Sequence, residues 1–110
     1  MQNKTLYMAN ERGINMNIIE STIETLEDPF GILSGERYEI FLTLEVDEED
    51  ELYSEHGIKL KLIFAIDQNQ SKIAQYDFIE STTEKVLDFA LEEEEEQQVK
   101  AYCEKLVAEL

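Results

Sequence analysis

The sequence has few of the residues from which common functional sites are built. It contains one cysteine, one histidine, one proline and no tryptophan among 110 residues. A single cysteine cannot form an internal disulfide, and one histidine without a CxxC pair lacks the parts of a zinc site or a histidine-based triad. We expect no cofactor, with Cys103 buried in the core and His56 at a turn.

Basic residues are scarce as well. The chain has 9 Lys and Arg against 26 Asp and Glu, a formal net charge of −17. Nucleic-acid binders need a cationic surface, and an anionic membrane leaflet attracts basic segments. The charge therefore argues against nucleic acid and membrane as partners. It leaves room for a mimic of nucleic acid that occupies a DNA-binding protein.

Long apolar runs are also absent. No stretch reaches the roughly 18 apolar residues of a membrane span, and the N-terminus lacks the apolar region of a signal peptide. Hydrophobic residues still make up 43% of the chain, enough for the core of one small domain. We expect a cytoplasmic protein with a single domain over residues 16–110.

Residues 1–15 follow neither a strand period nor a helix period. The segment 10–13 is compatible with a purine-rich coding stretch, which resembles a bacterial ribosome-binding site just upstream of Met16. We interpret 1–15 as a translated leader, or alternatively as a flexible terminus. Either interpretation places the function elsewhere.

Two segments show the strict alternation of β-strands. Apolar residues recur at every second position over residues 38–46 and again over 58–66. A hairpin that pairs Val46 with Ile58 sets apolar residues opposite one another along its length. The same register places Glu45 opposite Lys59, a favourable charge pair, and Phe41 opposite Ile63.

Further elements extend this hairpin. A strand after the polar turn 67–71 would place Ala74 opposite Phe64, and a shorter strand around Ile19 and Ile23 would precede the hairpin. Residues 81–91 fit either a helix that starts with a capping box at Ser81 or another strand. A stripe of apolar residues predicts a helix over 92–109. The predicted fold is α+β, an antiparallel β-meander of four to five strands with the C-terminal helix packed on one face.

Two acidic runs are candidate cation sites. Asp47, Glu49, Asp50 and Glu51 lie in the loop between the strongest strands, where carboxylates could bind a divalent metal. Their spacing lacks the alternation of a calcium loop, so a solvated loop is the competing interpretation. The glutamates at 92–96 favour the N-terminus of the predicted helix.

The predicted sheet also carries apolar residues on the face away from the helix. The four candidates for a partner-binding surface are Phe41, Ile63, Ala65 and Ile73. An apolar centre with a polar rim is typical of a contact surface, for a protein partner or a homodimer. The alternative is that the N-terminal strand and its loop, which contains Phe30, Ile32 and Leu33, fold over this face and make it internal.

Residues 28–39, 46–57 and 87–91, the last followed by glutamates, resemble a family of small uncharacterised proteins from Bacillus-type bacteria. The resemblance covers the chain from Met16 to its end. Some members carry the label pullulanase, an activity of large glycosidases built on barrels of roughly 200 or more residues. That label does not fit a chain of 110 residues, and the resemblance implies no catalytic residues.

Two classes of function follow from these patterns. The first is a small acidic, non-enzymatic interaction or regulatory protein of the bacterial cytosol. The second is a ligand- or divalent-metal-binding protein, or a hydrolase, that uses the acidic loops. The sequence favours the first, because one small sheet with one helix offers little cleft for substrate.

Overall fold

Within the described residues, six antiparallel strands form one sheet, and a helix follows them along the chain. The computed structural model describes residues 6–9, 15–28, 30–32 and 34–110. The elements are β1 (Leu6–Ala9), β2 (Asn15–Leu26), β3 (Glu36–Val46), β4 (Ile58–Asp67), β5 (Gln70–Glu80), β6 (Val86–Leu87) and α1 (Glu93–Ala108). Their order in the sheet is their order in the chain. The predicted α+β meander with a C-terminal helix is confirmed.

Strand β1 lies within the segment interpreted as a leader. It pairs with β2, with Leu6 opposite Ile18, and adds a sixth strand where four to five were expected from the sequence. Residues 1–5 and 10–14 lie outside the described residues. The interpretation of 1–15 as a leader stays a prediction.

Alternation sorts the side chains of β3 and β4 onto two faces. Ile40 and Leu42 on β3, with Leu60 and Leu62 on β4, are fully buried in the core. Val99 and Cys103 of α1 belong to the same core cluster, so this is the face that the helix covers. The residues between them, such as Phe41, point to the opposite face because successive side chains of a strand alternate.

The predicted register of β3 and β4 is wrong by two residues. Leu44, not Val46, lies opposite Ile58, while Val46 continues past β4 and pairs with Met16 of β2. The loop 47–57 buries Leu52, and Glu45 and Val46 extend β3 past the start of β4. A shift of two preserves the faces, because the side-chain period is two.

This shift changes the predicted cross-strand pairs. Lys59 lies opposite Thr43 instead of Glu45, and Phe41 lies opposite Lys61 instead of Ile63. The Lys59 ammonium nitrogen is 5.8 Å from the centre of the Phe41 ring, a cation–π distance. A lysine and an aromatic ring therefore contact each other where charge pairing was expected.

A second irregularity moves Ile73. Ile63 lies opposite Gln75, but its neighbour Phe64 lies opposite Ile73, so Ala74 is the extra residue of a β-bulge. The bulge turns Ile73 to the helix side, where it packs against the core. The prediction that Ile73 belongs to the open face is wrong. Isoleucine buries more apolar area than alanine, which favours the bulged arrangement.

Residues 81–91 contain one short strand, Val86–Leu87, and no helix. Val86 and Leu87 pair with β5, and Glu84 has a positive φ of 62°, which interrupts any helix from Ser81. Beyond β6, the backbone N–H of Leu91 donates a hydrogen bond to the Tyr76 hydroxyl at 2.7 Å. The strand alternative is confirmed at Leu87, which lies opposite Phe78, whereas Phe89 and Leu91 lie beyond the strand.

Helix α1 has the position predicted for it, within one residue at each end. It contacts β1 and β5 and contributes Val99 and Cys103 to the core. Among the described residues, no helix is long and apolar enough to cross a membrane.

Candidate functional site

The face of the sheet opposite α1, called here the open face, is half-buried and chemically mixed. Phe41 and Ile63 lie on it with intermediate exposure, and Ala65 is buried. Ile79 of β5 lies opposite Lys59 on the same face and is buried. Ile79 therefore takes a place among the apolar residues that was predicted for Ile73. Ile79 can be identified from the sequence if the alternation of β5 is continued to Glu80.

The loop before β3 does not cover this apolar centre. Phe30 and Ile32 are 82% and 78% exposed, so neither packs against the sheet. Leu33, the third residue expected to fold over this face, lies outside the described residues. The alternative that this loop covers the open face is therefore wrong for Phe30 and Ile32.

Charges on the open face are segregated between two pairs of strands. The acidic half consists of Glu20, Glu24, Glu39 and Glu45 on β2 and β3. The basic half consists of Lys59, Lys61 and Lys72 on β4 and β5. Asp67 and Asp77 in the basic half and Arg37 in the acidic half are the exceptions. In a chain of net charge −17, the basic half is a local reversal of sign.

The cations of the open face interact with groups other than carboxylates in the part of the chain that the structure describes. Lys59 lies over the Phe41 ring. With Arg37, the three lysines of the basic half make up four of the chain's 9 basic residues. Within the described ranges, none of these four forms an ion pair with a carboxylate. The Arg37 guanidinium donates instead to the Ser34 carbonyl oxygen at 3.2 Å. An anionic partner surface would therefore meet cations that are not already paired.

Residues 16–110 match a family of unknown function, DUF6509. The chain belongs to this family. The match includes the whole open face, from β2 to β5. No curated protein and no solved structure matches the sequence. Membership of a family without an assigned activity identifies no catalytic residue.

The acidic loop of this family member has a structural role. The backbone N–H of Leu52 donates to the Asp50 carboxylate at 2.8 Å, which closes a turn beside the buried Leu52 side chain. Across the described part of the chain, no three His, Cys, Asp or Glu side chains converge in a way that could hold a metal ion. The candidates Asp47, Glu49, Asp50 and Glu51 are therefore not brought together as a cation site.

The glutamates at the start of α1 include one that is deeply buried. Glu95 is 1% exposed, and its carboxylate accepts the backbone N–H of Glu92 at 2.9 Å. The Glu92 side chain caps the Glu95 backbone in return, which completes a capping box. The sequence predicted that acidic residues favour the helix start, but not that Glu92 replaces the usual Ser or Thr.

Cys103 and His56 occupy the places predicted for them. Cys103 is fully buried, and this burial raises the pKa of its thiol to about 12, which keeps it protonated and unreactive. His56 is exposed at a turn. The turn is closed by Ser54, whose hydroxyl oxygen accepts the His56 backbone N–H at 3.1 Å, and the imidazole has no part in that bond.

Glu80 links two turns at the edge of the sheet. Its carboxylate accepts hydrogen bonds from the Thr83 hydroxyl at 2.6 Å and the Ser54 hydroxyl at 3.1 Å. The bond from Thr83 has the largest effect and lowers the pKa of Glu80, with Ser54 acting in the same direction. The arrangement holds loop ends together and has no feature of an active site.

Proposed function

We propose that this protein is a non-enzymatic interaction protein that binds through its open face, and that the face pairs with a second copy of the chain. The observation behind the proposal is the segregation of charge: an acidic half and a basic half flank Phe41 and Ile63. A surface divided in this way is complementary to its own copy. Charge complementarity of this kind fixes the orientation of partners more than it raises their affinity.

The symmetry of the pair follows from the positions of the two halves. A two-fold axis parallel to the strands, lying between two stacked sheets, places β2 and β3 of one copy against β4 and β5 of the other. Each acidic half then faces a basic half. A two-fold axis perpendicular to the strands would place every strand against itself and bring like charges together. The strand-parallel axis is the arrangement that the charges favour.

The size of the open face sets the strength expected of this dimer. Four strands about 4.8 Å apart and roughly nine residues long cover about 600 Å² per copy. The pair would bury about 1,200 Å² in total, at the lower limit for stable interfaces. We expect a reversible dimer whose population depends on protein concentration.

The expectations about the cell and the alternative function belong to the same proposal. The protein would work in the cytoplasm of Bacillus-type bacteria, without nucleic acid or membrane as partner. The alternative, a metal-binding protein or hydrolase, would require carboxylates that converge. Among the described residues the acidic loop is instead organised around the Leu52 side chain.

Charge exchange between the two halves tests the proposal. One variant reverses the basic half, with Lys59→Glu and Lys61→Glu, and the other reverses the acidic half, with Glu24→Lys and Glu39→Lys. Each variant alone would face itself with like charges and should sediment as a monomer at concentrations where the wild type is dimeric. Mixed in equal amounts, the two should form a heterodimer, because both contacts are again complementary.

A charge-matched control variant distinguishes an effect of the open face from an effect of the chain's net charge. Lys100 and Lys105 are exposed on α1, so Lys100→Glu with Lys105→Glu makes the same change in net charge away from the open face. This control should dimerise as the wild type does. A wild type that stays monomeric at every concentration, or two variants that fail to associate when mixed, would overturn the proposal.

A further inference from the structure

A cleft of about 350 Å³ lies at the end of the sheet where β3 begins and β4 turns into β5. Its lining includes Arg37, Ala65 and Lys72, together with Ser34 and Asp67. Volumes of this order are typical of sites for small molecules. The cleft is part of the open face, at one end of the sheet. Ala65 belongs to both the cleft and the apolar centre, whereas Phe41 and Ile63 do not line the cleft.

The strand register explains the shape of the cleft. Arg37, Ala65 and Lys72 lie side by side on three adjacent strands and on one face. Strands are spaced about 4.8 Å apart, so the two cations start about 10 Å from each other. The small side chain between them leaves a notch with an apolar floor and a long cationic side chain on either side.

The rim of the cleft is held by close backbone packing. Gly35 has a φ of 77°, and a Cβ at this position would collide with the carbonyl oxygen of Ile66. This approach brings Ser34 beside the end of β4, where its hydroxyl donates to the Asp67 carboxylate at 2.7 Å. The Arg37 guanidinium donates to the Ser34 carbonyl oxygen, which fixes the arginine at the edge of the notch. The site is organised before any ligand arrives.

We infer that this cleft binds the oxyanion of a small molecule, a phosphate or carboxylate group held between Arg37 and Lys72. Guanidinium groups bind both kinds of oxyanion in a bidentate manner, and lysine adds a point charge. Arg37 uses a hydrogen bond to Ser34 and keeps further N–H donors, since a guanidinium carries five. The Asp67 carboxylate at the rim would face the part of the ligand that carries a hydroxyl or amine.

Phosphate titration monitored by amide NMR of the full chain tests this inference. Sodium phosphate and sodium acetate are added in parallel, with sodium chloride at matched ionic strength as the reference. Saturable shifts at Gly35, Arg37, Ala65 and Lys72 with either oxyanion, and not with chloride, are the expected result. The inference would be overturned if the shifts saturated with neither oxyanion, or if sodium chloride reproduced them.

Substitutions then identify the cations responsible. Arg37→Gln and Lys72→Gln should each weaken binding about tenfold, the typical effect of losing one hydrogen bond to a charged group. Lys100→Gln removes the same charge from α1, outside both the cleft and the open face, and should weaken binding less than about twofold at moderate ionic strength. Equal losses of oxyanion affinity in all three variants would show only a general electrostatic attraction and would contradict a specific site in the cleft. A chain that binds oxyanion but stays monomeric would overturn the proposed dimer and leave the oxyanion site supported.

Discussion

The two faces of the same strands differ in how their side chains are buried and charged. On the helix side, Ile40, Leu42 and Leu60 are completely buried and belong to the same core cluster as Val99 and Cys103 of α1. On the open face, their immediate neighbours are half-buried or exposed and carry charges of both signs. Since successive residues of a strand point to opposite sides, one face can be selected for packing and the other for contacts outside the chain. If the open face binds as proposed, stability and binding depend on alternate residues of the same strands.

The largest expected effect separates the two faces at adjacent positions. Leu60→Ala should lower the free energy of unfolding by about 2–5 kcal/mol, because it opens a cavity in the packed core. Lys61→Ala, one residue further on the open face, should change it by less than about 0.5 kcal/mol. Urea denaturation monitored by circular dichroism measures both. Similar losses for the two substitutions would contradict the division of the sheet into a core face and an open face.

The next effect concerns backbone packing at the cleft. Gly35→Ala should cost about 1–3 kcal/mol, since the new side chain adopts a strained φ and meets the Ile66 carbonyl oxygen. Gly31→Ala is the matched control, because Gly31 also has a positive φ but no atom within 4 Å of the position of a Cβ. Its cost should be smaller, about 1 kcal/mol. Thermal melts of both variants give the difference, and a larger loss for Gly31→Ala would mean that the segment before β3 does not pack as described.

The smallest effect is a dependence of stability on pH at the sheet edge. Because the pKa of Glu80 is lowered in the folded chain, its ionised carboxylate stabilises the fold above the carboxyl pKa of the unfolded state. This stabilisation should be lost as the pH falls through the lowered pKa. Melting temperatures of the wild type and Glu80→Gln should differ at neutral pH and converge in acid. A difference that persists unchanged below both pKa values would exclude the carboxylate as its source.

The sequence predicts the faces of this sheet better than it predicts contacts across the sheet. Alternation over β3 and β4 identifies the core residues, since burial on one side follows directly from a period of two. The pairing of Val46 with Ile58 fails, because the inward fold of the loop around Leu52 is a tertiary contact without a local signal. Ile73 fails for a related reason, since a bulge inverts the faces beyond it.

The cleft illustrates the same limit. Arg37, Ala65 and Lys72 are distant in the sequence and become neighbours only through the register of three strands. The close approach of Gly35 to the end of β4 likewise cannot be predicted from the sequence, because it is a tertiary contact. Phe41 and Ile63, in contrast, could be identified as residues of the open face from alternation alone, and a register error of two does not move them to the other side.

The most direct measurement combines folding and self-association in one variant. Phe41→Lys with Ile63→Lys adds charge at the centre of the open face and leaves the core face unchanged. The account predicts that this variant keeps the wild-type circular dichroism spectrum and sediments as a monomer at concentrations where the wild type is a dimer. An unfolded variant would show that the open face is part of the core, and a folded variant that still dimerises would place the interface elsewhere.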